Sequence, residues 1–413
     1  MKNIDSRFRG NDINGKSILP VILYYTLNAV RYTLTSEIRF KERGNMSKVI
    51  ISDLQNNEIS EIIKNIFEIF GVEDKVKDKK VLVKPNILGP FPPERGVTTD
   101  PRVISAIVQE LKKYKPKEII VGDNSGSIHF EPLKIAKITG ILDASDGCYI
   151  NIAREVLKVK VESKFIDELF ISRIVKEADY VINVPKFKTH MLTTITGAIK
   201  NMFGIIPGGK KAQLHTLNRS IYEFAELLVD IYQIRIPDLN IMDAIIGMEG
   251  AGPTNGKTKI INKIISSDNA ISLDSVMAVM MGLKPDTIEL LQVAKERHLG
   301  ETDISNIIID GELEVISGFK TPYNGLLQKI AKAVVPHVFN FNKVIPVIDH
   351  NKCKICKKCI EVCPVSAMNL KGKYPEADRK RCISCFCCDE HCPYGAIILP
   401  SWQQNIFNRL KGK

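Results

Sequence analysis

Tyr180-Val-Ile-Asn-Val-Pro-Lys-Phe-Lys-Thr-His190 is the stretch on which the fold turns. Its first five residues make an apolar run of strand length, and a proline then opens a basic, polar segment. In open α/β sheets ligands bind just beyond the carboxyl ends of the strands, so the polar half marks the rim of a candidate site. If residues 185–190 stay extended, the two-residue period of a strand puts Lys186, Lys188 and His190 on one side. Three potential cations then converge, which suits a carboxylate or a phosphate. Solvated loop residues are the alternative reading.

The same pattern recurs along the chain. Lys84-Pro85-Asn86 follows the apolar run 81–83, and Gly122-Asp123-Asn124-Ser125-Gly126 follows 119–121. Further strands are expected at 49–52, 80–83, 118–121, 180–184, 240–242 and 307–309. Helices are expected at 59–70, 102–114, 220–232, 270–281 and 287–297. In the second helix Val103, Ile107, Val108 and Leu111 recur at helical spacing and predict one buried stripe. Strands alternating with helices predict an α/β domain with a mainly parallel sheet over residues 46–315.

A second pattern occupies the carboxyl end. Cys353-x2-Cys356-x2-Cys359-x3-Cys363-Pro364 is repeated 29 residues later as Cys382-x2-Cys385-x2-Cys388-x3-Cys392-Pro393, and both copies continue to an alanine, Ala367 and Ala396. Three closely spaced thiolates on a curled loop suit three irons of a cubane, and the fourth iron takes a ligand from elsewhere. In two-cluster proteins the fourth cysteine of each run serves the other cluster. This assigns Cys353, Cys356, Cys359 and Cys392 to one 4Fe-4S cluster, and Cys382, Cys385, Cys388 and Cys363 to a second. A zinc site built from two Cys-x2-Cys pairs leaves the remaining cysteines unexplained. Cys387 beside Cys388 reads as a bystander thiol, and Cys148 as inert. The sequence resembles bacterial two-cluster ferredoxins over about residues 348–399, which implies a small α+β ferredoxin-like domain at 348–400 and electron transfer.

The 413 residues carry a formal charge of +11, with 44% hydrophobic and 25% charged residues. No apolar run reaches the roughly 18 to 20 residues of a membrane-spanning helix. Nine of ten cysteines crowd into 353–392, which points to metal and a reducing, cytoplasmic compartment rather than to disulfides. Nucleic acid is not expected as a partner, since no aromatic-interleaved basic motif accompanies the charge. Basic residues around the cysteines, including Lys352, Lys354, Lys357, Lys358, Lys371, Lys373, Arg379, Lys380 and Arg381, offset cluster charge or dock an acidic redox partner.

Residues 1–45 place Arg7, Arg9 and Lys16 before the apolar stretch 18–30, in imitation of a secretory leader. Pro20 and Asn28 interrupt that stretch, and Met46 immediately precedes a strand pattern, so 1–45 is expected to be an extension without packed structure. Residues 316–347 read as a linker with a short amphipathic helix at 326–335, and 401–413 as an amphipathic tail. Both suit packing between domains or peripheral membrane contact.

Three more loops complete the candidate site: Thr196-Gly-Ala-Ile-Lys200-Asn201-Met-Phe-Gly204, Pro207-Gly-Gly-Lys210 with His215, and Met248-Glu249-Gly-Ala-Gly-Pro253-Thr-Asn-Gly256. At Lys84-Pro85-Asn86, Pro185-Lys186-x-Lys188-Thr189-His190 with Lys200-Asn201, and Glu249-Gly250-x-Gly252-Pro253, residues 48–312 resemble the family known as domain of unknown function 362. Members of that family often carry a ferredoxin module, and the resemblance implies a shared fold and site. The residues suggest a small anion held by Lys84, Lys186, Lys188 and Lys200 and oriented by Asn86 and Asn201. His190 and Lys188 form the catalytic pair, with His190 moving the proton. Asp123 or Glu249 orients the histidine or binds a cation. The expected activity is a ferredoxin-linked oxidoreductase. Its rivals are a non-catalytic electron carrier or ligand sensor, and a nucleotide hydrolase with structural clusters. The last rests on Ala251-Gly-Pro-Thr-Asn-Gly256-Lys257-Thr258, a relaxed phosphate loop followed by Ile307-Ile-Ile-Asp310. A phosphate loop opens a helix at its lysine, whereas residues 259–265 read as a strand.

Overall fold

Val81, Leu82 and Val83 are fully buried, and successive side chains of this run enter two different cores. The pleat makes this unavoidable, since alternate residues face opposite sides of a sheet. In the computed structural model the described residues are 46–54, 57–125, 131–207, 211, 214, 220–322, 345–363, 365–382, 387–390 and 392–398. The expected amino-terminal extension, linker helix and carboxyl-terminal tail lie outside them, as do Gly126, Lys210, His215, Pro364 and Cys385.

The strands are β1 (Lys48–Asp53), β2 (Lys80–Pro85), β3 (Glu118–Val121), β4 (Val156–Lys160), β5 (Glu168–Ser172), β6 (Tyr180–Val184), β7 (Lys186–His190), β8 (Thr194–Ile195), β9 (Leu239–Glu249), β10 (Lys257–Ser267) and β11 (Ile308–Asp310). The main sheet runs β11-β1-β10-β9-β6-β2-β3, with β7 beside β9 and β8 beside β7. β3, β2, β6 and β9 pair in parallel, as do β7 with β9 and β1 with β11. The ladders β9–β10 and β10–β1 are antiparallel. The sheet is thus mainly parallel, as the alternating pattern predicts.

Helices α1 (Ile59–Ile69) and α2 (Pro101–Lys113) cover one face, where Ile63, Ile66, Ile104, Ile107 and Leu111 meet Val81, Val83 and Ile182. The predicted stripe of α2 is buried throughout. The helix starts where Asp100 accepts the Arg102 amide at 2.9 Å and Pro101 supplies a fixed φ at the first turn. On the other face lie α3 (Gly197–Asn201), α4 (Ile221–Ile234), α5 (Ala270–Met280) and α6 (Glu289–Glu296), packed on Leu82, Val181 and Met242.

Two expectations need correction. The helix expected at 287–297 begins two residues later, at Glu289, because Pro285–Thr287 forms a 3-10 turn before α6. The strand expected at 240–242 extends to Glu249, and its long antiparallel partner is β10. A β4–β5 hairpin stands apart from the main sheet, where alternating exposed residues leave only one face to bury.

α3 is only one turn long and is held from beneath. The Asp274 carboxylate on α5 accepts the Ala198 and Ile199 amides at 2.6 and 3.0 Å. Gly197 adopts φ +60°, and a β-carbon there would stand 2.4 Å from an Asp274 oxygen, so glycine is required. Burial pushes the Asp274 carboxyl up to about 7 against the opposing effect of its two amide donors. A folded-state pKa above the unfolded one means that the folded chain holds a proton that the unfolded chain has released. Stability from this group therefore falls as pH climbs from about 4 to about 7, by up to about 1.4 kcal/mol per unit, and is level above that. Chemical denaturation of Asp274→Asn against the parent at pH 5 and pH 8 checks this: the difference between the two pH values is smaller in the variant.

Candidate functional site

β6 and β7 form almost one strand, interrupted at Pro185. The β6 end pairs with the start of β9, and β7 runs on beside the far half of β9, with Lys186 opposite Asp243 and Lys188 opposite Met248. This register carries the basic segment past the carboxyl end of β2. All five residues of β7 are buried.

Buried lysines need acceptors in place of water. Lys84, at the end of β2, pairs with Asp123 at 2.7 Å. Burial lowers the Lys84 pKa, and the Asp123 carboxylate opposes that shift. Asp123 also accepts the Ile87 and Asn124 amides, at 2.8 and 2.9 Å. Lys186 pairs with Asp243 at 2.6 Å, and the same carboxylate oxygen accepts the Asp100 amide at the start of α2. Lys188 donates to the Asn86 side-chain oxygen at 2.7 Å and to the Val97 carbonyl at 2.8 Å.

From Lys188 a directional chain of amides crosses the sheet. Asn86 donates to Asn201 at 2.9 Å, Asn201 to Asn183 at 2.7 Å, Asn183 to Asn240 at 2.9 Å, and Asn240 to the Ser267 carbonyl at 3.3 Å. Thr99 pins the chain near its start, accepting the Asn86 amide and donating to the Val184 carbonyl, both at 2.8 Å. Lys84, Asn86, Asp123, Lys188 and Asn201 are thus brought together. Gly204 closes over them, since a β-carbon there would stand 2.2 Å from Asp123 and 2.6 Å from the Lys84 nitrogen. Asn124 is also buried here, and its side-chain NH2 meets no acceptor among the described residues.

The other predicted residues stand differently. Lys186 belongs to the Asp243 pair, linked to the rest through Asp100. Lys200 is partly exposed, with its ammonium 5.9 Å from the Phe203 ring centre. Glu249 accepts the Lys320 amide at 3.0 Å. The His190 Nδ1 accepts the Leu192 and Thr193 amides at 3.1 and 3.3 Å, so the neutral ring carries its proton on Nε2. Asp243, Asn183, Asn240 and Thr99 were missed in the sequence, although an asparagine inside Tyr-Val-Ile-Asn-Val is itself a signal of a buried polar contact.

The glycine-rich loop after β9 does not behave as a phosphate loop. Lys257 opens β10, not a helix. Its glycines allow close approach to the protein's own backbone: β-carbons on Gly252 and Gly256 would stand 2.1 Å from the Thr189 carbonyl and 2.4 Å from the Glu249 carbonyl. Beyond that contact the loop reaches the cysteine-rich domain. Thr254 donates to the Asp389 carbonyl at 3.2 Å, and Asn255 donates to the Asp389 carboxylate and, at 2.9 Å, to the Ile397 carbonyl.

In that domain two short antiparallel pairings flank the cysteine loops: β12 (Val347–Ile348) with β15 (Ile397–Ile398), and the hairpin of β13 (Met368–Lys371) with β14 (Tyr374–Ala377). The repeat is visible in three dimensions. α7 (Lys358–Glu361) and α8 (Cys387–Glu390) occupy equivalent places, and Ser366 and Gly395 both have left-handed φ. Each turn lets the following alanine amide reach back to a sulfur, Ala367 to Cys363 at 3.1 Å and Ala396 to Cys392 at 3.2 Å.

Cys353, Cys356, Cys359 and Cys392 line one small cavity. Burial pushes the Cys359 thiol up to about 12, reinforced by the negative charge of Cys392, Cys356 and Cys353 nearby. Thiols so crowded and buried are poor thiolates unless cations join them, and this donor set fits an iron–sulfur cluster. Cys148 is partly buried, and burial raises its pKa, which suits an inert thiol.

Comparison with known proteins agrees with this geometry. Residues 81–279 match the family described as Domain of unknown function (DUF362), and residues 345–393 match a 4Fe-4S dicluster domain. A thylakoid-associated protein of Synechocystis sp. is 31% identical over 235 residues, covering 54% of this chain and 69% of that protein. Among solved structures, the lactate racemase apoprotein from Thermoanaerobacterium thermosaccharolyticum aligns with a TM-score of 0.36 at 11% identity, covering 54% of each chain. A Thermotoga maritima protein aligns with a TM-score of 0.33 at 16% identity, covering 51% of this chain and 55% of its own. The chain thus spans about half the length of these two structures. By its match to the curated relative and to both domain families, the chain belongs to the DUF362 family and carries a 4Fe-4S domain of the dicluster type at its carboxyl end.

Proposed function

We propose that the protein is a cytoplasmic iron–sulfur oxidoreductase acting on a small anion at the strand ends of its α/β domain. Two 4Fe-4S clusters held in the cysteine-rich domain would supply electrons one at a time. Cys353, Cys356, Cys359 and Cys392 hold one, and Cys382, Cys385, Cys388 and Cys363 hold the other. The observation that carries the reading is the loop 250–256, which touches Thr189 and Met191 on one side and Asp389 and Ile397 on the other. A carrier whose α/β domain only tethers its clusters has no need of a buried strand-end site packed against the cluster loop.

The anion is argued from donors. The Asn124 side-chain NH2, which meets no acceptor among the described residues, is costly in a buried place, and an anionic oxygen would satisfy it beside Lys84. Lys188 lies on the same side of β7 as His190 and holds the charge of the substrate. With Nδ1 occupied by two backbone amides, His190 acts through Nε2–H as a donor to the substrate, not as a base. Exposed Lys352, Lys354, Lys357, Lys371 and Lys373 offer an acidic redox partner a docking surface, and mainly speed its arrival.

Two measurements test this. Protein prepared without oxygen should hold about eight irons and eight sulfides per chain. Cys392→Ala should remove the same electron paramagnetic resonance signal as Cys353→Ala, and Cys363→Ala the other; zinc in place of iron would end the redox reading. In the loaded protein, acetate, oxalate or phosphate should perturb the cluster signal, and Lys188→Met should weaken that effect at least tenfold while Lys371→Met leaves it unchanged. Equal responses in both variants would favour a plain electron carrier.

A further inference from the structure

Arg95 belongs neither to the strand-end cluster nor to the cysteine set, yet it binds the loop that joins the two domains. It ends the 3-10 turn Pro93–Arg95 and is partly buried. Its guanidinium lies 4.9 Å from the centre of the Phe91 ring and donates to the Thr254 carbonyl at 3.1 Å. Thr254 is the residue that donates to the Asp389 carbonyl. A β-carbon on Gly395 would stand 3.9 Å from an Arg95 nitrogen and 2.7 Å from the Asn255 oxygen. Gly395 lies in the turn after Cys392, with its amide on the Cys392 carbonyl at 3.2 Å. The ring, the carbonyl and the glycine turn therefore fix a cation at the turn that follows Cys392.

A second cation, Lys358, lines the same cavity as Cys392. By the 29-residue repeat, the position equivalent to Lys358 in the other half is Cys387. The two halves thus differ in charge at matched places. Adding an electron makes a cluster more negative, so a fixed nearby cation in a poorly polarisable setting favours the reduced form over the oxidised one.

We propose that Arg95 is a tuning residue, which raises the reduction potential of the cluster sharing Cys392 and makes it the more readily reduced of the two. The inference rests on the crossed ligand assignment proposed above. It gives the α/β domain a role in setting the cluster's electronics through a residue outside the ferredoxin module.

Anaerobic redox titration followed by electron paramagnetic resonance tests it, with Cys356→Ala identifying the signal of the cluster that shares Cys392. In Arg95→Gln, reduction of that cluster should become about tenfold less favourable, about 59 mV for a one-electron couple, with iron content unchanged and the other cluster unmoved. Arg95→Lys, which keeps the charge but shortens its reach, should shift the same cluster less. If Arg95→Gln loses iron, the neutral Arg95→Met decides: a lowered potential of that cluster supports the proposal, and an unchanged one at full iron content overturns it. No shift at full iron content overturns the proposal and leaves the ligand assignment standing. A shift confined to the cluster that survives Cys356→Ala overturns both.

Discussion

Taking an ammonium group out of water costs several kcal/mol unless ordered oxygens replace its hydration, and this chain does so three times at one sheet edge. Lys84, Lys186 and Lys188 are all essentially inaccessible. Two are matched by carboxylates, and the third donates to an asparagine and a carbonyl. Replacing one partner would leave a buried charge or an unsatisfied amide. The geometry of Asn86, Asn201, Asp123 and the first turn of α2 is therefore fixed together. Such a network is poorly suited to simple stability, since apolar side chains fill a core at lower cost. Its retention at the carboxyl ends of parallel strands is what directs attention to ligand binding.

Much of this was legible in the sequence because it is local. The bounds of β3 and β6 agree with the apolar runs 118–121 and 180–184, and the stripe on α2 follows helical period. The cysteine spacing was legible for the same reason, as ligand loops are short. Pairings across long separations were not. Lys186 meets Asp243, 57 residues away, because β7 takes a parallel register beside β9, and nothing in either segment alone states that register. The amide chain through Asn183 and Asn240 depends on the same strand order. The expectation of three converging cations did not include their acceptors: Lys186 goes to Asp243 and Lys188 to Asn86 and Val97, on either side of an irregularity in the β7 ladder.

The glycines of the loop after β9 illustrate a different limit. Their pattern signals close backbone approach but not to what. In the folded chain Gly252 lies against Thr189 and Gly256 against Glu249, so the close approaches brace a loop that carries Thr254 and Asn255 outward. What resembles a phosphate cradle is a strut between two domains.

That strut makes the two halves of the protein physically dependent on one another. Asn255 stands where a side chain at position 395 would have to be, and it bonds both Asp389 and Ile397 on either side of Cys392. In the first half-repeat the equivalent turn uses Ser366, which also adopts a left-handed φ, so that turn does not itself require glycine. Glycine at 395 answers to the neighbouring domain. The second half-repeat is therefore shaped by contact with the α/β domain, while the first retains a side chain at the matched turn and carries exposed lysines. A duplicated ferredoxin fold has become asymmetric at matched positions, and the asymmetry lies where one loop of the α/β domain meets its second half.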